Sequence, residues 1–206
     1  MTESSETPDS KRQSIMQAAT RLFLTNNYRS VSMDKIAQAA PVSKATLYNY
    51  FDSKTELLMA IVAQLCASLL QTITQTLSTA DDVEQTLQKI ASAFVELLYS
   101  PDGLAIYQLV IAETHEFPEL GQMVYDNGAK LALSQLETYL QQLHDSERFN
   151  IPDAHFAADA FFSLLKSDLH CRCLFSVQPP PNALEKTLLI ESATAFYLRG
   201  IGYVAN

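Results

Sequence analysis

The stretch VSKATLYNYFDSKTELL, residues 42–58, places two lysines and two tyrosines on a short segment of a chain whose formal net charge is −9. Leu47 and Phe51 are four residues apart, so on a helix they share one face, which we expect to be buried. The lysines and tyrosines are then left on the outward face or at its edges. A basic, hydroxyl-bearing face on an acidic protein indicates a surface that contacts a polyanion.

Serines mark the starts of the helices around this stretch. Ser32 and Ser43 can each cap a short helix, because a serine side chain accepts a hydrogen bond from a backbone N–H of the first turn. Two short helices joined by about three residues are typical of a helix-turn-helix, whose second helix enters the major groove of DNA. Ser53 and Glu56 have the spacing of a capping box and open a longer helix, expected to end near Thr79.

Charge is distributed unevenly along the chain. Residues 11–54 carry seven basic and two acidic side chains, whereas the residues on both sides carry an excess of acids. A basic segment on an acidic body suggests an end that faces nucleic acid. A solvated helical face with a chance bias of charge accounts for the same distribution, so charge alone leaves both interpretations open.

The remainder of the chain also has a helical pattern. Hydrophobic residues make up 48% of the sequence, glycine is scarce, and no stretch of any length alternates as a strand would. We therefore predict an all-α fold of about nine helices. Beyond those already described, helices are expected over residues 10–27, 82–100, 104–116, 118–144, 152–176 and 182–204.

Composition disfavours several classes of protein. Three cysteines, Cys66, Cys171 and Cys173, do not have the spacing of a secreted disulfide scaffold. Residues 1–10 lack the basic and apolar regions of a signal peptide. The most apolar run, residues 57–70, is shorter than the roughly 20 residues that span a bilayer. We expect a soluble, cytoplasmic protein without a membrane partner.

A set of ordered motifs runs from residue 11 to about residue 60. They read IxxAAxxLF from residue 15, SxxxIA from residue 32 and VSKxTLYxYFxxKxxL from residue 42. In this region the chain resembles the TetR/AcrR family of bacterial transcriptional regulators. The C-terminal half resembles the AefR-type branch, through FPEL at 117–120, FFSLL at 161–165 and a proline-rich loop before the last helix.

The resemblance implies a two-domain architecture. It places a three-helix helix-turn-helix DNA-binding domain at residues 10–56 and a helical ligand-binding and dimerisation domain at residues 57–206. Residues 1–9 are expected to form a disordered tail. The resemblance implies a homodimeric repressor that leaves a palindromic double-stranded DNA operator when a small hydrophobic effector binds. It implies neither enzymatic activity nor a cofactor.

The same motif assigns roles to the outward side chains. Its lysines would bind phosphates as point charges, and its tyrosines would offer hydroxyls to phosphate oxygens. Ordinary packing at the edge of the core is the alternative for the tyrosines. The small Ala45 and the methyl group of Thr46 suit contact with a thymine methyl. The predicted DNA-binding residues are Ser32, Met33, Ser43, Lys44, Ala45, Thr46, Tyr48, Asn49, Tyr50 and Lys54.

Two positions depart from the family pattern. Pro41 stands in the turn where the family most often has glycine, which adopts positive φ, whereas the proline ring holds φ near about −65°. We therefore expect a differently bent turn or a shifted recognition helix. Met33 stands where the family often has threonine, so one hydroxyl contact to phosphate is expected to be missing.

The C-terminal body is expected to hold the effector and the dimer interface, with ordinary core packing as the alternative for each position. The predicted effector-pocket residues are Phe94, Leu98, Tyr107, Gln108, Ile111, Met123, Tyr125 and Phe162. The predicted dimer-interface residues are Phe161, Leu165, Leu188, Ser192, Ala195, Phe196 and Arg199.

A metal site is not predicted near the cysteines. On a helix, only His170 and Cys173 of the segment His-Cys-Arg-Cys share a face, and a closed zinc site needs four converging ligands. Buried, inert cysteines are the favoured interpretation. The acids Glu113 and Glu116, on either side of His115, are expected on a solvated surface.

Two other functions remain open at this point. One is an architectural or division-related DNA-binding protein of the same fold, whose C-terminal body binds a protein. A large internal apolar cavity would favour the repressor, and a filled core with an exposed apolar patch would favour this alternative. The other is a helical enzyme, which is disfavoured because the sequence contains no Gly-rich phosphate loop and no HExxH or GxSxG motif.

Overall fold

All regular secondary structure is helical over the residues that the computed structural model describes, which are 8–26, 28–78, 82–146 and 149–202. This confirms the all-α prediction. A five-residue π-helix, Tyr125–Ala129, joins two α-helices, so ten α-helical elements form nine continuous runs within the described residues. The α-helices are α1 (Pro8–Thr25), α2 (Met33–Ala39), α3 (Lys44–Tyr50), α4 (Lys54–Ser78), α5 (Val83–Leu98), α6 (Pro101–Glu113), α7 (Pro118–Val124), α8 (Lys130–Asp145), α9 (Ala154–Leu174) and α10 (Ala183–Gly200).

Side-chain caps start three helices where the sequence predicted them. The Ser32 hydroxyl accepts a hydrogen bond from the Lys35 N–H at the start of α2. The Ser43 hydroxyl accepts one from the Thr46 N–H at the start of α3. Asn182 opens α10 with the predicted reciprocal capping box. These caps satisfy N–H groups that have no partner inside their own helix.

Two helix starts differ from the prediction. At α4, the Ser53 hydroxyl accepts from the Glu56 N–H at 3.1 Å, as predicted. The Glu56 carboxylate, however, accepts from the Asp52 N–H at 2.6 Å, one residue before the expected position. Asp153, and not Pro152, opens α9, because the Asp153 carboxylate caps its first turn.

Other boundaries also differ. Residues 8 and 9 of the predicted tail belong to α1, and residues 1–7 lie outside the described residues. The predicted last residues of α4 and α10 lie outside them as well. α6 begins at Pro101, earlier than predicted, because proline is tolerated at the first position of a helix.

The chain divides into two compact units. The first contains Met1–Gln64 and Ala105–Val124, and the second contains Leu65–Leu104 and Tyr125–Asn206. The division differs from the predicted boundary after residue 56. The first eleven residues of α4, most of α6 and the whole of α7 belong with α1, α2 and α3. The first unit is therefore more than an isolated helix-turn-helix domain.

The core of the second unit is built mainly from α5, α8, α9 and α10. α8 packs on α9, and α10 packs on both α5 and α9. Burying one large apolar side chain stabilises a fold by about 1.5–3 kcal/mol. The side chains of this core larger than alanine that are 0% exposed are Ile73, Leu87, Ile90, Val95, Leu136, Leu140 and Leu165.

α4 is the most apolar of the long helices. It is the single helix, among the residues described, that is long and apolar enough to cross a membrane by length and composition. Core helices of soluble proteins have the same properties. Leu57, Leu58, Leu69 and Ile73 of α4 are buried inside the protein, which accounts for part of its apolar character, since 33% of its apolar window is buried.

Helix α9 is interrupted at Ser167, which the sequence did not predict. The φ of Ser167 is 52° and its ψ is −174°, a conformation that costs a residue with a side chain about 1–3 kcal/mol. The interruption disturbs the backbone hydrogen bonding of the helix, so nearby carbonyl groups need other donors. The buried Tyr99 hydroxyl supplies one, donating to the Leu165 oxygen at 3.2 Å and to the Lys166 oxygen at 2.6 Å.

The turn between α2 and α3 keeps a left-handed residue in spite of Pro41. The Val42 N–H donates to the Ala37 oxygen at 3.0 Å, which is the longer bond of a Schellman motif. Pro41 occupies the position that glycine usually fills, with φ of +23°. The differently bent turn or shifted recognition helix stays a prediction. Proline has no N–H, so it cannot make the second bond of the motif, to the Gln38 oxygen.

We expect Tyr99→Phe to lower the free energy of unfolding by about 1–3 kcal/mol, because two carbonyl groups lose their donor. Urea unfolding followed by circular dichroism measures the change. The matched control is Tyr125→Phe, since Tyr125 is 50% exposed and its hydroxyl should contribute less than about 0.5 kcal/mol. Equal losses in the two variants would contradict the role of Tyr99.

The Tyr99 hydroxyl also gives a pH dependence. Burial, the largest cause, raises the pKa of Tyr99 from 10.0 to about 12. Because the folded-state pKa is raised, its contribution to stability is complete below pH 10 and is lost as the pH rises towards about 12. The Tyr99→Phe variant should lose less stability over this range than the wild type.

We expect Pro41→Gly to raise the free energy of unfolding by about 1 kcal/mol. The gain from relieving a strained backbone, about 1–3 kcal/mol, exceeds the added entropy of the unfolded chain, about 1 kcal/mol. Glycine also restores the missing N–H. Pro41→Ala restores the N–H but keeps a Cβ, so it should gain less in the same urea titration. A glycine variant no more stable than the alanine variant would refute the strain.

Candidate nucleic-acid interface

The helix-turn-helix is held by a narrow buried face. α1 packs against α2, and α2 packs against α3. Leu47 of α3 is 0% exposed and Phe51, just after its end, is 2% exposed, as their spacing predicted. Ile36 of α2 and Phe23 of α1 are buried as well. Since α3 has only seven residues, these anchors decide which of its sides faces outward.

The opposite side of α3 is open to solvent, as predicted. Thr46 and Tyr50 are half-buried, and the Thr46 hydroxyl lies 2.7 Å from that of Ser43. At the start of α2, Ser32 is exposed and Met33 is half-buried. The structure thus brings nine of the ten predicted DNA-binding residues to the outside of this region. The exposed residues of α3 and its cap are Ser43, Lys44, Ala45, Tyr48 and Asn49.

Lys44, the first residue of α3, is paired with an acid of α2. Its Nζ lies 2.7 Å from the Asp34 Oδ1, and the two side chains are 61% and 65% exposed. The hydrogen bond that the Lys44 ammonium donates to the Asp34 carboxylate raises the pKa of Lys44. The lysine stays charged at neutral pH and is accessible to a phosphate.

Lys54 is the predicted DNA-binding residue that the structure directs elsewhere. Its Nζ donates to the Tyr28 oxygen at 2.9 Å and to the Val31 oxygen at 3.3 Å. It also lies 4.2 Å from the centre of the Tyr28 ring. Desolvation lowers the pKa of Lys54, and the carboxylate of Glu113 opposes that shift. The ammonium of Lys54 therefore holds the loop before α2, and its contact with a phosphate stays a prediction.

Tyr28, in the 3-10 turn Tyr28–Ser30, is fully buried and joins parts of the first unit that are distant in sequence. Its ring centroid lies 5.3 Å from that of Phe23 and 5.6 Å from that of Phe117. Its hydroxyl lies 3.1 Å from the Thr55 Oγ1. Burial raises the pKa of Tyr28. We call Tyr28, Phe23, Lys54, Thr55 and Phe117 the Tyr28 cluster.

Charged side chains surround the Tyr28 cluster. Arg29 forms an ion pair with Glu116 of the segment before α7. Glu113, at the end of α6, is only 8% exposed, so its predicted place on a solvated surface was wrong. This cluster was not predicted from the sequence, because its members lie up to 94 residues apart. The signal available was the FPEL motif, since its Phe117 is the residue that packs on Tyr28.

The predicted effector-pocket residues do not fall in one unit. In the second unit, Phe94 and Phe162 have ring centroids 4.9 Å apart, and Leu98 is buried. The remaining second-unit candidate, Tyr125, is exposed. Those in the first unit are Tyr107, Gln108, Ile111 and Met123. An effector pocket built from these residues stays a prediction.

The predicted dimer residues divide into a buried and an exposed group. Phe161 is 1% exposed and Leu165 is 0% exposed, because their face of α9 packs into the core of the same chain. Assigning these two residues to the interface was therefore wrong. The five predicted residues of α10 are exposed and lie on one side of that helix; they are Leu188, Ser192, Ala195, Phe196 and Arg199.

Other large apolar side chains of α9, of the segment after it and of α10 are exposed as well. The sequence analysis missed four of them, which occupy α9, the segment after it and the first turn of α10. Their exposure ranges from 67% to 76%. With Leu188 and Phe196 they form a set that we call the α9–α10 apolar residues. The four are Phe156, Phe175, Val177 and Leu184.

Two of the three cysteines have the environments of a structural role. Burial raises the pKa of Cys66 and that of Cys173, which makes their thiols less reactive. Cys171 is exposed, so its predicted burial was wrong. Across the described ranges, no group of three or more His, Cys, Asp or Glu side chains is placed to hold a metal ion.

Comparison with known proteins agrees with this geometry. The pattern of bacterial regulatory proteins of the tetR family matches residues 15–61, and that of the AefR-like transcriptional repressor C-terminal domain matches residues 85–201. The HTH-type transcriptional activator FasR of Mycolicibacterium smegmatis is 34% identical over 90 residues, which are 44% of this chain and 41% of FasR. YvkB, an uncharacterised HTH-type transcriptional regulator of Bacillus subtilis, is 25% identical over 203 residues, 94% of this chain and 97% of YvkB.

Solved structures share the whole fold. A TetR-family transcriptional regulator from Mesorhizobium loti superposes with a TM-score of 0.78 at 26% identity, covering 95% of this chain and 98% of that one. The flavonoid-responsive regulator FrrA gives a TM-score of 0.72 at 25% identity, covering 93% and 97%. Because the C-terminal pattern alone covers more than half of its residues, the chain belongs to the TetR family of bacterial DNA-binding transcriptional regulators, which are not enzymes.

Proposed function

We propose that this protein is a homodimeric repressor that binds a palindromic operator through α3 and is released by a small hydrophobic effector. The observation that carries the proposal is the anchoring of α3, with Leu47 buried and the side chains opposite it exposed. A short helix fixed in this way is suited to enter the major groove. A protein that binds chromosomal DNA acts in the bacterial cytoplasm, where we place it.

The exposed side of α3 divides into two kinds of contact. Lys44 and the hydroxyls of Tyr48 and Tyr50 suit phosphate oxygens, which position a protein on DNA without reading sequence. Ala45 and Thr46 are small enough to bring the helix backbone close to base edges and to meet a thymine methyl. Ser32, Met33, Ser43 and Asn49 complete the proposed contact surface, and Lys54 would join it only by leaving its backbone carbonyl partners.

The two lysines of the motif give a direct test. A duplex is first selected from a random-sequence library, and binding is then measured by fluorescence anisotropy against scrambled competitor. Lys44→Met should weaken binding by about tenfold and leave the Tm unchanged. The slope of log affinity against log salt concentration should become shallower by about 0.9 per protomer. Lys54→Met should instead lower the free energy of unfolding by about 1–3 kcal/mol, because two carbonyl groups lose a donor.

The outcomes separate the possibilities. Failure to enrich any sequence from the library would refute sequence-specific binding. Loss of binding by Lys54→Met without loss of stability would mean that Lys54 contacts DNA and that its contacts with the loop are incidental. Once a duplex is in hand, the same assay screens hydrophobic compounds for release of the protein.

Dimerisation is proposed from the α9–α10 apolar residues. A single seven-residue recognition helix reads few base pairs, whereas a two-fold dimer reads both halves of a palindrome. Exposed aromatic and aliphatic side chains are uncommon in such number on a monomer and are typical of an interface. The exposed side of α10, from Leu188 to Arg199, offers small residues that allow two helices to approach closely.

We expect the double variant Leu188→Asp, Phe196→Asp to be monomeric, because it places charge on two of the exposed apolar positions of α10. Sedimentation velocity should report half the mass of the wild type, and affinity for the selected duplex should fall at least about tenfold. Leu131→Asp is the control, since Leu131 is 42% exposed on α8. A wild type that is itself monomeric would favour the architectural alternative, in which these residues bind another protein.

The proposed effector is small and hydrophobic. The support for this class is the aromatic and aliphatic character of the second unit, in which Phe94 packs on Phe162 and Phe162 packs on Phe161. FrrA, which is similar over nearly the whole chain, is named for its response to flavonoids, a class of aromatic compounds. We propose repression as the output, although FasR is named an activator.

A further inference from the structure

We propose that Asp34 sets the DNA affinity of this protein by competing with a DNA phosphate for Lys44. In the free protein the Asp34 carboxylate holds the Lys44 ammonium; on binding, a phosphate takes its place. The inference rests on the proposed function, because it requires Lys44 to meet DNA.

The geometry joins the two helices of the helix-turn-helix. Asp34 lies in the first turn of α2 and Lys44 is the first residue of α3. Their charged atoms are 2.7 Å apart, and both side chains are more than half exposed. The carboxylate uses one of the three N–H donors of the ammonium, so a phosphate must displace the carboxylate or share the ammonium with it.

Lys44 differs from the other lysines of this region in the kind of partner it has. The Lys35 ammonium donates to the Ser30 backbone oxygen at 2.7 Å. The Lys54 ammonium donates to the backbone oxygens of Tyr28 and Val31. Lys35 and Lys54 thus serve the loop before α2, whereas the partner of Lys44 carries a full negative charge and can be exchanged for another anion.

Stability gives little reason for the pair. Exposed ion pairs contribute little to folding, because water screens the attraction and both long side chains lose freedom. On DNA, however, the displaced Asp34 carboxylate remains beside phosphates of the same charge. The Asp34 carboxylate therefore weakens binding to every duplex. It also retains cations that a phosphate contact would otherwise release, so the affinity falls less steeply as the salt concentration rises.

The test uses Asp34→Asn, which keeps the shape of the side chain and removes its charge. The control is Asp52→Asn, because Asp52 is the other acid among residues 11–54 and is exposed just after α3. Both changes are made in the wild-type and Lys44→Met backgrounds of the full chain. Anisotropy on the selected and scrambled duplexes is followed from about 50 to 200 mM salt, and thermal unfolding checks that each variant is folded.

Asp34→Asn is expected to tighten binding to both duplexes by about tenfold at low salt. The slope of log affinity against log salt concentration should become steeper by up to about 0.9 per protomer. In the Lys44→Met background its effect should fall to that of Asp52→Asn. If Asp34→Asn changes the affinity no more than Asp52→Asn in both backgrounds, Asp34 acts only through the net charge of the protein, and competition for Lys44 is overturned. Weaker binding by Asp34→Asn would mean that Asp34 positions Lys44 for DNA, which also overturns competition.

Failure of the inference can be told from failure of the proposed function. A wild type that binds the selected duplex, with no coupling between Asp34 and Lys44, overturns the inference alone. A wild type that binds no duplex more tightly than scrambled DNA overturns the proposed function, and the inference falls with it.

Discussion

Tyr28 has a hydroxyl group and yet is fully buried, and the DNA-binding half of the molecule is arranged around it. Its ring contacts Phe23 of α1, its hydroxyl contacts Thr55 of α4, and its backbone oxygen receives the Lys54 ammonium. Phe117, far along the chain, packs on the same ring. The start of α4 is therefore fixed to α1, and since α3 ends only three residues before α4, the end of α3 is fixed as well. Without this cluster, α3 would be held by its buried face alone, and its C-terminal end would not be fixed.

The short length of α3 separates structural from functional residues. Seven residues make about two turns of helix, so one side is used by Leu47 with Phe51 and the other is left for DNA. The same division explains why the two lysines of one motif have different roles. Lys44 begins α3 and faces solvent, where Asp34 holds it, whereas Lys54 begins α4 and faces the carbonyl groups of the loop before α2.

Sequence reasoning predicted the features that depend on local chemistry. Serine and asparagine caps, the apolar spacing on α3 and the absence of strands in the described residues all follow from hydrogen bonds or periodicities within about four residues. Features that depend on tertiary contacts were not predictable in this way. Nothing near Ser167 in sequence indicates an interrupted helix, because the donor that compensates it is the hydroxyl of Tyr99, from another helix.

The candidate site follows the same rule. The outward side of α3 could be predicted from spacing, but the orientation of Lys54 and the burial of Glu113 depend on Tyr28 and on a segment near residue 117. Phe161 and Leu165 were misassigned because an apolar side of a helix gives the same pattern whether it meets its own core or a second chain. The positive φ of Pro41 could not be predicted from its residue type, because the proline ring favours a φ near about −65°.

We propose that the outward side of α3, held by the Tyr28 cluster, is the surface that meets DNA. Hydrogen–deuterium exchange of the full chain, with and without a tightly bound duplex, is the decisive experiment. We expect slower exchange in peptides that cover α2 and α3, since DNA shields them, and little change in α5 or α8. Protection confined to other helices, with α3 exchanging at its free rate, would contradict it.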